Sequence, residues 1–353
     1  MPRISFTVPL SGGTKEVPDR ESLYSVLKMP DVGASPKGST FRKSLIQCPH
    51  EHGLLYEIGL RPSVPTEQLT VGLIFHYALQ RYYEEIHKFQ KEFEVHWKKN
   101  NPKNPLGYRN EDAYFFAHEG QAAKVAWAAV SKLETATGYE KTWETVARIV
   151  DGYFDRYSRV DRWRVLAIEE TIEYYGLHIG TFDHTSRLDL LVEDVTVGRS
   201  YTIEHKTARW ISQDLVDFYD LDLQILGQVW LAARCVDWTN LPPFGGSMIN
   251  IVSKQKTPLF IRHPVLPSVR HLLAFEHMIG QWEDIRGFYE LCGWPKALGM
   301  CAGAPRGYSQ CQFYDLCREY PLETVESIGK WRDAPDGFEF RGKDAQTFED
   351  HNV

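Results

Sequence analysis

Ser186-Arg187-Leu188-Asp189-Leu190-Leu191-Val192 and Tyr201-Thr202-Ile203-Glu204-His205-Lys206-Thr207 read as two consecutive β-strands, because apolar and polar residues alternate along both. Val197-Gly198-Arg199-Ser200 between them reads as a turn. Side chains along a strand point to opposite faces in succession, so Glu204 and Lys206 share one face while Tyr201, Ile203 and His205 take the other. On the preceding strand Leu188, Leu190 and Val192 make the apolar side, and Asp189 stands apart from it. Paired as a hairpin, the strands gather two carboxylates and an ammonium on one polar face. Hard divalent cations such as Mg²⁺ take oxygen ligands of that kind. A metal-bound water there can attack a phosphodiester, with Lys206 orienting the water or stabilising developing negative charge. Asp183, after Gly180-Thr181-Phe182, is the alternative carboxylate if the strand register differs. Asp183-His184-Thr185 reads as a turn, which favours Asp189. Taken alone, Asp-x14-Glu-x-Lys is a weak signal, since charges alternate on many solvated strands.

Working outward, residues 1–40 are rich in Pro, Gly and Ser and read as a flexible N-terminal arm. Helical structure is expected over 40–56, interrupted at Pro49, with Cys48 near its buried side. Leu69, Leu73, Phe75, Leu79, Tyr82, Tyr83, Ile86 and Phe89 recur at helical spacing, predicting a long helix over 66–99 with His76 in its early turns. After a loop at 100–110, helices are expected over 111–136 and 139–159, and the sheet over 163–207. Glu169 and Glu170, after Val165-Leu166-Ala167-Ile168, either approach the polar face from a neighbouring strand or form a solvated strand end. A helix over 212–234 carries Gln224 and Gln228 on one face at i and i+4. Strands follow at 247–252 and 259–262, then a helix over 266–290 and a segment with Cys301, Cys311 and Cys317. The predicted fold class is α/β, a central mixed sheet flanked by helices. Residues 319–353 read as a polar C-terminal tail.

Of 353 residues, 43% are hydrophobic and 25% charged, ordinary values for a globular chain. No apolar run approaches membrane-spanning length, and Met1-Pro2-Arg3-Ile4-Ser5-Phe6 lacks a signal-peptide core, so the expected location is cytoplasmic. In that reducing compartment cysteines point to metal binding rather than disulfides. A net charge of −7 counts mildly against a nucleic-acid partner, though a local basic groove can coexist with it. Lys98, Lys99, Lys103, Lys254 and Lys256 are candidates for such a groove, although short runs of this kind are more often solvated surface.

Asp189, Glu204 and Lys206 resemble the catalytic core of the PD-(D/E)xK nuclease superfamily, in its RecB-like branch. The segment Thr70–Leu79 resembles the branch's helix with a metal-binding His, here His76, and Asp222–Trp230 resembles its Gln-motif helix, here with Gln224. Cys48 together with Cys301, Cys311 and Cys317 is similar to the one-plus-three cysteine pattern of exonuclease V, AddB and CRISPR-associated RecB-like nucleases. The resemblance spans 41–318, with a helical insertion at about 100–160 and a cysteine site formed by both ends. It implies Mg²⁺ or Mn²⁺ held by His76, Asp189, Glu204 and the backbone carbonyl of His205, with Lys206 positioning the water and Gln224 assisting at the phosphate. It further implies a [4Fe–4S] cluster on the four cysteines; their spacing alone suits zinc equally. There are departures. Gln228 stands where the branch usually has Tyr, nine residues separate Cys301 from Cys311, and no Pro precedes Asp189.

The expected activity is a metal-dependent deoxyribonuclease, an exonuclease on single-stranded or end-containing DNA, in recombination, repair or phage DNA processing. The alternative is a nuclease-like DNA-binding or scaffolding subunit active only within a complex. No Gly-x4-Gly-Lys-Ser/Thr loop is present, so unwinding would fall to a helicase or recombination partner.

Overall fold

Strand-period alternation between 163 and 265 builds a five-stranded mixed sheet, and helical periodicity on either side of it supplies the covering layers. The computed structural model describes residues 37–62, 67–132, 140–174, 183–297 and 311–340. Most of the expected arm, and Cys301, lie outside the described residues. The strands are β1 (Trp163–Tyr174), β2 (His184–Asp194), β3 (Arg199–Ala208), β4 (Phe244–Ser253) and β5 (Phe260–Val265), side by side in chain order. β1–β2, β2–β3 and β4–β5 pair antiparallel; β3 and β4 pair parallel, which requires a crossover. That crossover carries helix α5 (Leu223–Cys235).

One face of the sheet presents Trp163, Val165, Leu190, Val192, Ile203 and Val252 to helices α2 (Glu67–Asn100), α3 (Glu119–Ser131) and α4 (Glu140–Tyr157). With 34 residues, α2 spans about 51 Å and reaches from the sheet's centre past its edge. The opposite face buries Ile249, Ile251 and Val265 against Ile225 and Val229 of α5. Helix α6 (Val269–Cys292) closes this layer, with Phe275 and Ile279 against Leu226 and Trp230. Among the described residues no helix is long and apolar enough to cross a membrane.

A separate apolar cluster joins the two ends of the described chain. Helix α1 (Ser39–Gln47) and the following turns contribute Leu45, Leu54, Ile58 and Leu60, which pack against Trp294, Phe313, Leu316, Val325 and Ile328. Leu60–Pro62 and Phe338–Phe340 pair as a small antiparallel ribbon. Residues 325–340 are therefore packed rather than a polar tail. Their apolar residues are scattered among charges, which hid them from a compositional reading.

Two local boundaries differ from the sequence expectation, and the interruption expected at Pro49 is present. Cys48 is extended before Pro49, as the pre-proline clash demands, and Pro49 starts a new helical turn. The helix expected over 212–234 breaks at Asp222, whose carboxylate caps α5 by accepting from the Gln224 N–H at 2.9 Å. His184 and Thr185 are buried in β2 opposite Tyr174 and Glu173, not in a turn.

Gly227 lets α5 lie close on the sheet. A Cβ there would sit 2.5 Å from Nε2 of the buried His184 and 3.3 Å from Phe275. Gly227→Ala is expected to lower stability by about 1–3 kcal/mol through overpacking. The check is a lower urea midpoint at unchanged slope.

Candidate active site

The ladder between β2 and β3 ends at the Leu190–Ile203 pair, and beyond it the two strands are no longer partnered. This leaves the His205 N–H without a β2 carbonyl, and the Asp189 side chain supplies the acceptor instead, at 2.7 Å. The same Asp189 oxygen lies 3.3 Å from Nδ1 of His76. Helix α2 reaches this point because Gly72, one turn before His76, would place a Cβ only 3.4 Å from Thr207 of β3. Glu169 completes the group from β1. It falls between the Ile168–Leu190 and Glu170–Leu188 pairs, with φ of 51°, the only positive value at a non-glycine among the described residues. Such a backbone costs about 1–3 kcal/mol and collects at functional sites. Arg187 holds the Glu169 carboxylate at 2.8 Å. His76, Glu169 and Asp189 each offer one ligand atom, all within 4.8 Å of one another.

Glu204 and Lys206 stand on the same face of β3, as the strand period requires. The Lys206 ammonium donates to Glu204 and, at 2.7 Å, to Oε1 of Gln224. Gln224 returns its amide N–H to Glu204 at 2.6 Å, and Gln228, one turn along α5, donates to the other Glu204 oxygen at 2.6 Å. Glu204 is buried and held by three donors in consequence. The i, i+4 spacing was the available signal for Gln228; its inward direction came only with the close approach of α5. The His205 side chain takes the face that the strand period assigns to it. Its imidazole lies against Tyr83 and Asn250, and its backbone N–H meets the group through Asp189. Asp183 is not part of the cluster; its carbonyl accepts from Arg42 at 2.7 Å.

Burial disfavours every charge here, and the partners decide each outcome. Burial opposes ionisation of Asp189, but the adjoining His76 imidazolium outweighs it and holds the carboxyl well below the usual carboxylate range. Burial likewise opposes protonation of His76, yet Asp189 raises it to about 9. Burial, then repulsion from Asp189, pushes Glu169 up to about 7 and also raises Glu204. Burial opposes the Lys206 charge, and Glu204 more than restores it, so its pKa is raised. Burial drives His205 down to about 3, leaving a neutral ring. An imidazole with two to three carboxylates is a donor set that fits Mn²⁺ or Mg²⁺.

The cysteines fall elsewhere. Cys311 is buried and Cys317 half-buried in the cluster that joins the chain's ends, and Cys48 is buried at the end of α1. The His50 N–H donates to the Pro295 carbonyl at 3.1 Å, and Gln312 donates to Glu51 at 3.3 Å, so the turn after Cys48 lies against the segment that carries Cys311.

Residues 42–318 match the family model of the PD-(D/E)XK nuclease superfamily, and the chain belongs to that superfamily. No curated protein matches it. Among solved structures it is similar to a candidate exonuclease from Eubacterium rectale at 13% identity and a TM-score of 0.37, covering 87% of this chain and 94% of that one.

Metal ligation requires neutral imidazole and ionised carboxylate. In metal-free protein near pH 7, His76 is protonated and Glu169 is partly so. Mn²⁺ binding is therefore expected to release protons and to strengthen as pH rises from 6 to 9. Calorimetry in buffers of different ionisation enthalpy reads this directly; affinity independent of pH would contradict the ligand set.

Proposed function

We propose that this member of the superfamily is a divalent-metal-dependent deoxyribonuclease of the RecB-like kind, acting as an exonuclease on single-stranded or end-containing DNA. The observation that carries this reading is the meeting of His76, Glu169 and Asp189 within ligand distance, beside Glu204, Lys206 and Gln224. Asp189, Glu204 and His76 would hold Mg²⁺ or Mn²⁺, with Glu169 an added carboxylate and the His205 carbonyl a further oxygen by family resemblance. A bound ion of this type supplies Lewis acidity at the phosphate and a more acidic water. The chain's own residues do the rest. Lys206 aims an ammonium at the reacting centre, where it orients the attacking water and meets developing negative charge. Gln224 fixes that ammonium through its carbonyl and can turn its amide to a phosphate oxygen. Gln228 fixes the Glu204 carboxylate against rotation, in the orientation in which it would hold a cation.

The four cysteines, Cys48, Cys301, Cys311 and Cys317, would bind a [4Fe–4S] cluster, with zinc the alternative. Two things favour a metal there: the mutual packing of the segments around Cys48 and Cys311, and the distance in sequence they span. A site joining residue 48 to residue 317 closes most of the chain, so its binding energy adds to folding energy.

The second reading is a nuclease-like subunit that cuts only within a complex. Gln228 favours it, because the residue in the place of the branch's usual Tyr faces Glu204 and is fully buried, with no ring offered to DNA.

Cleavage of end-labelled single-stranded DNA with Mn²⁺ separates the two. Wild type is expected to cut, and Lys206→Ala to lose at least about 100-fold in rate, the scale on which general acid–base and electrostatic groups act. Lys206→Ala should keep its fold and metal content. No cleavage by a fully loaded wild type favours the subunit reading. Cys317→Ser is expected to lose the bound metal of the cysteine site and to unfold at lower temperature, with iron, sulfide and zinc analysis identifying what was lost.

A further inference from the structure

Behind the sheet, on the face away from Glu204 and Lys206, three polar side chains stand in a row inside an otherwise aromatic and aliphatic core. His205 of β3 is the direct cross-strand partner of Asn250 of β4, and Asn250 is the direct partner of Arg262 of β5. Arg262 donates from Nε to Oδ1 of Asn250 at 2.7 Å. Asn250 donates from Nδ2 to Nδ1 of His205 and to the Tyr153 hydroxyl, each at 3.2 Å. Arg262 is itself fixed. Its two terminal nitrogens grip both oxygens of Asp161, and its guanidinium lies between the rings of Tyr157, at 3.8 Å, and Trp163, at 4.2 Å.

The row has a definite polarity. A guanidinium only donates, so the Asn250 carbonyl must face Arg262. Its NH₂ then must face His205, whose Nδ1 must accept. The neutral ring is thereby fixed with its proton on Nε2. The ring is also wedged against Tyr83 and Phe75, on the same helix as His76, with centroids 6.2 and 6.3 Å away.

His205 lies between Glu204 and Lys206 on β3, and its backbone N–H is the one that holds Asp189. A slip of one residue between β3 and β4 would turn Glu204 and Lys206 to the wrong face. The parallel ladder is irregular between Ser200 and Thr202, so its register is not enforced from that end. Buried polar rows contribute little to stability compared with apolar packing, and specificity of arrangement is their best-supported use.

We infer that Asn250, oriented by Arg262, is a positioning residue for the nuclease site: the His205–Asn250–Arg262 row locks the register and the ring of β3 so that the His205 N–H, Glu204 and Lys206 meet Asp189 and His76 correctly. This rests on the metal-site reading given above, but not on cleavage. Asn250→Leu keeps the branched shape and the number of side-chain heavy atoms and removes all three polar contacts. The folded variant, checked by circular dichroism, is expected to bind Mn²⁺ about 10- to 100-fold more weakly, the usual effect of removing support behind a metal ligand. Its affinity for DNA without metal should be unchanged. Wild-type Mn²⁺ affinity in folded Asn250→Leu would overturn the inference. Long-range ¹H–¹⁵N spectra of histidine-labelled wild type give a second, independent reading. Nδ1 of His205 is expected to be bare and Nε2 protonated; a proton on Nδ1 overturns the row's polarity even if Asn250→Leu does not fold. Should wild type bind no Mn²⁺, the metal reading fails and the positioning inference falls with it, whereas Mn²⁺ binding by wild type with equal affinity in folded Asn250→Leu sinks the positioning inference alone.

Discussion

The hydrogen bond from the His205 N–H to Asp189 occupies the point where β2 and β3 part, and the site is arranged around it. A backbone donor at the end of a ladder must find a partner or bear the cost of an unpaired buried group, about 1–3 kcal/mol. Here the partner is a carboxylate, so one contact completes the sheet and fixes the carboxylate that meets His76. The splay of the strands opens room for α2 on one side and α5 on the other. Glu204, Lys206, Gln224 and Gln228 then close the second half of the site as a continuous set of charge-assisted bonds. The end of an interior β-ladder and the charges of a candidate metal centre are the same constraint here, seen from two sides.

Much of this was legible in the chain because it follows from period two. Leu190, Val192 and Ile203 had to face one way, and Glu204 and Lys206 the other. His76 was legible through its place on a long amphipathic helix ahead of the strands. Other parts needed three dimensions. Glu169 sits at a left-handed backbone position that no strand pattern announces, so its direction stayed open between the site and solvent. The helical period over 212–234 runs through Asp222 unbroken, and only the cap geometry shows that α5 starts afresh there. Val325, Ile328, Phe338 and Phe340 are buried or half-buried in a polar background, where composition averages them away.

The N-terminal cap of α5 ties the cysteine region to the site. Lys43, on the helix before Cys48, binds the second oxygen of Asp222 at 2.6 Å, while the first caps Gln224. Order in α1 is thus passed to the helix that carries Gln224 and Gln228.

His76, Glu169, Asp189 and Glu204 are proposed to form one metal centre. Anomalous scattering from crystals grown with Mn²⁺ tests it directly. The expected result is a peak bonded to the His76 imidazole and to carboxylate oxygens of Glu169, Asp189 and Glu204, within reach of Lys206. Well-ordered side chains with no peak among them, or a peak held by other residues, would contradict it.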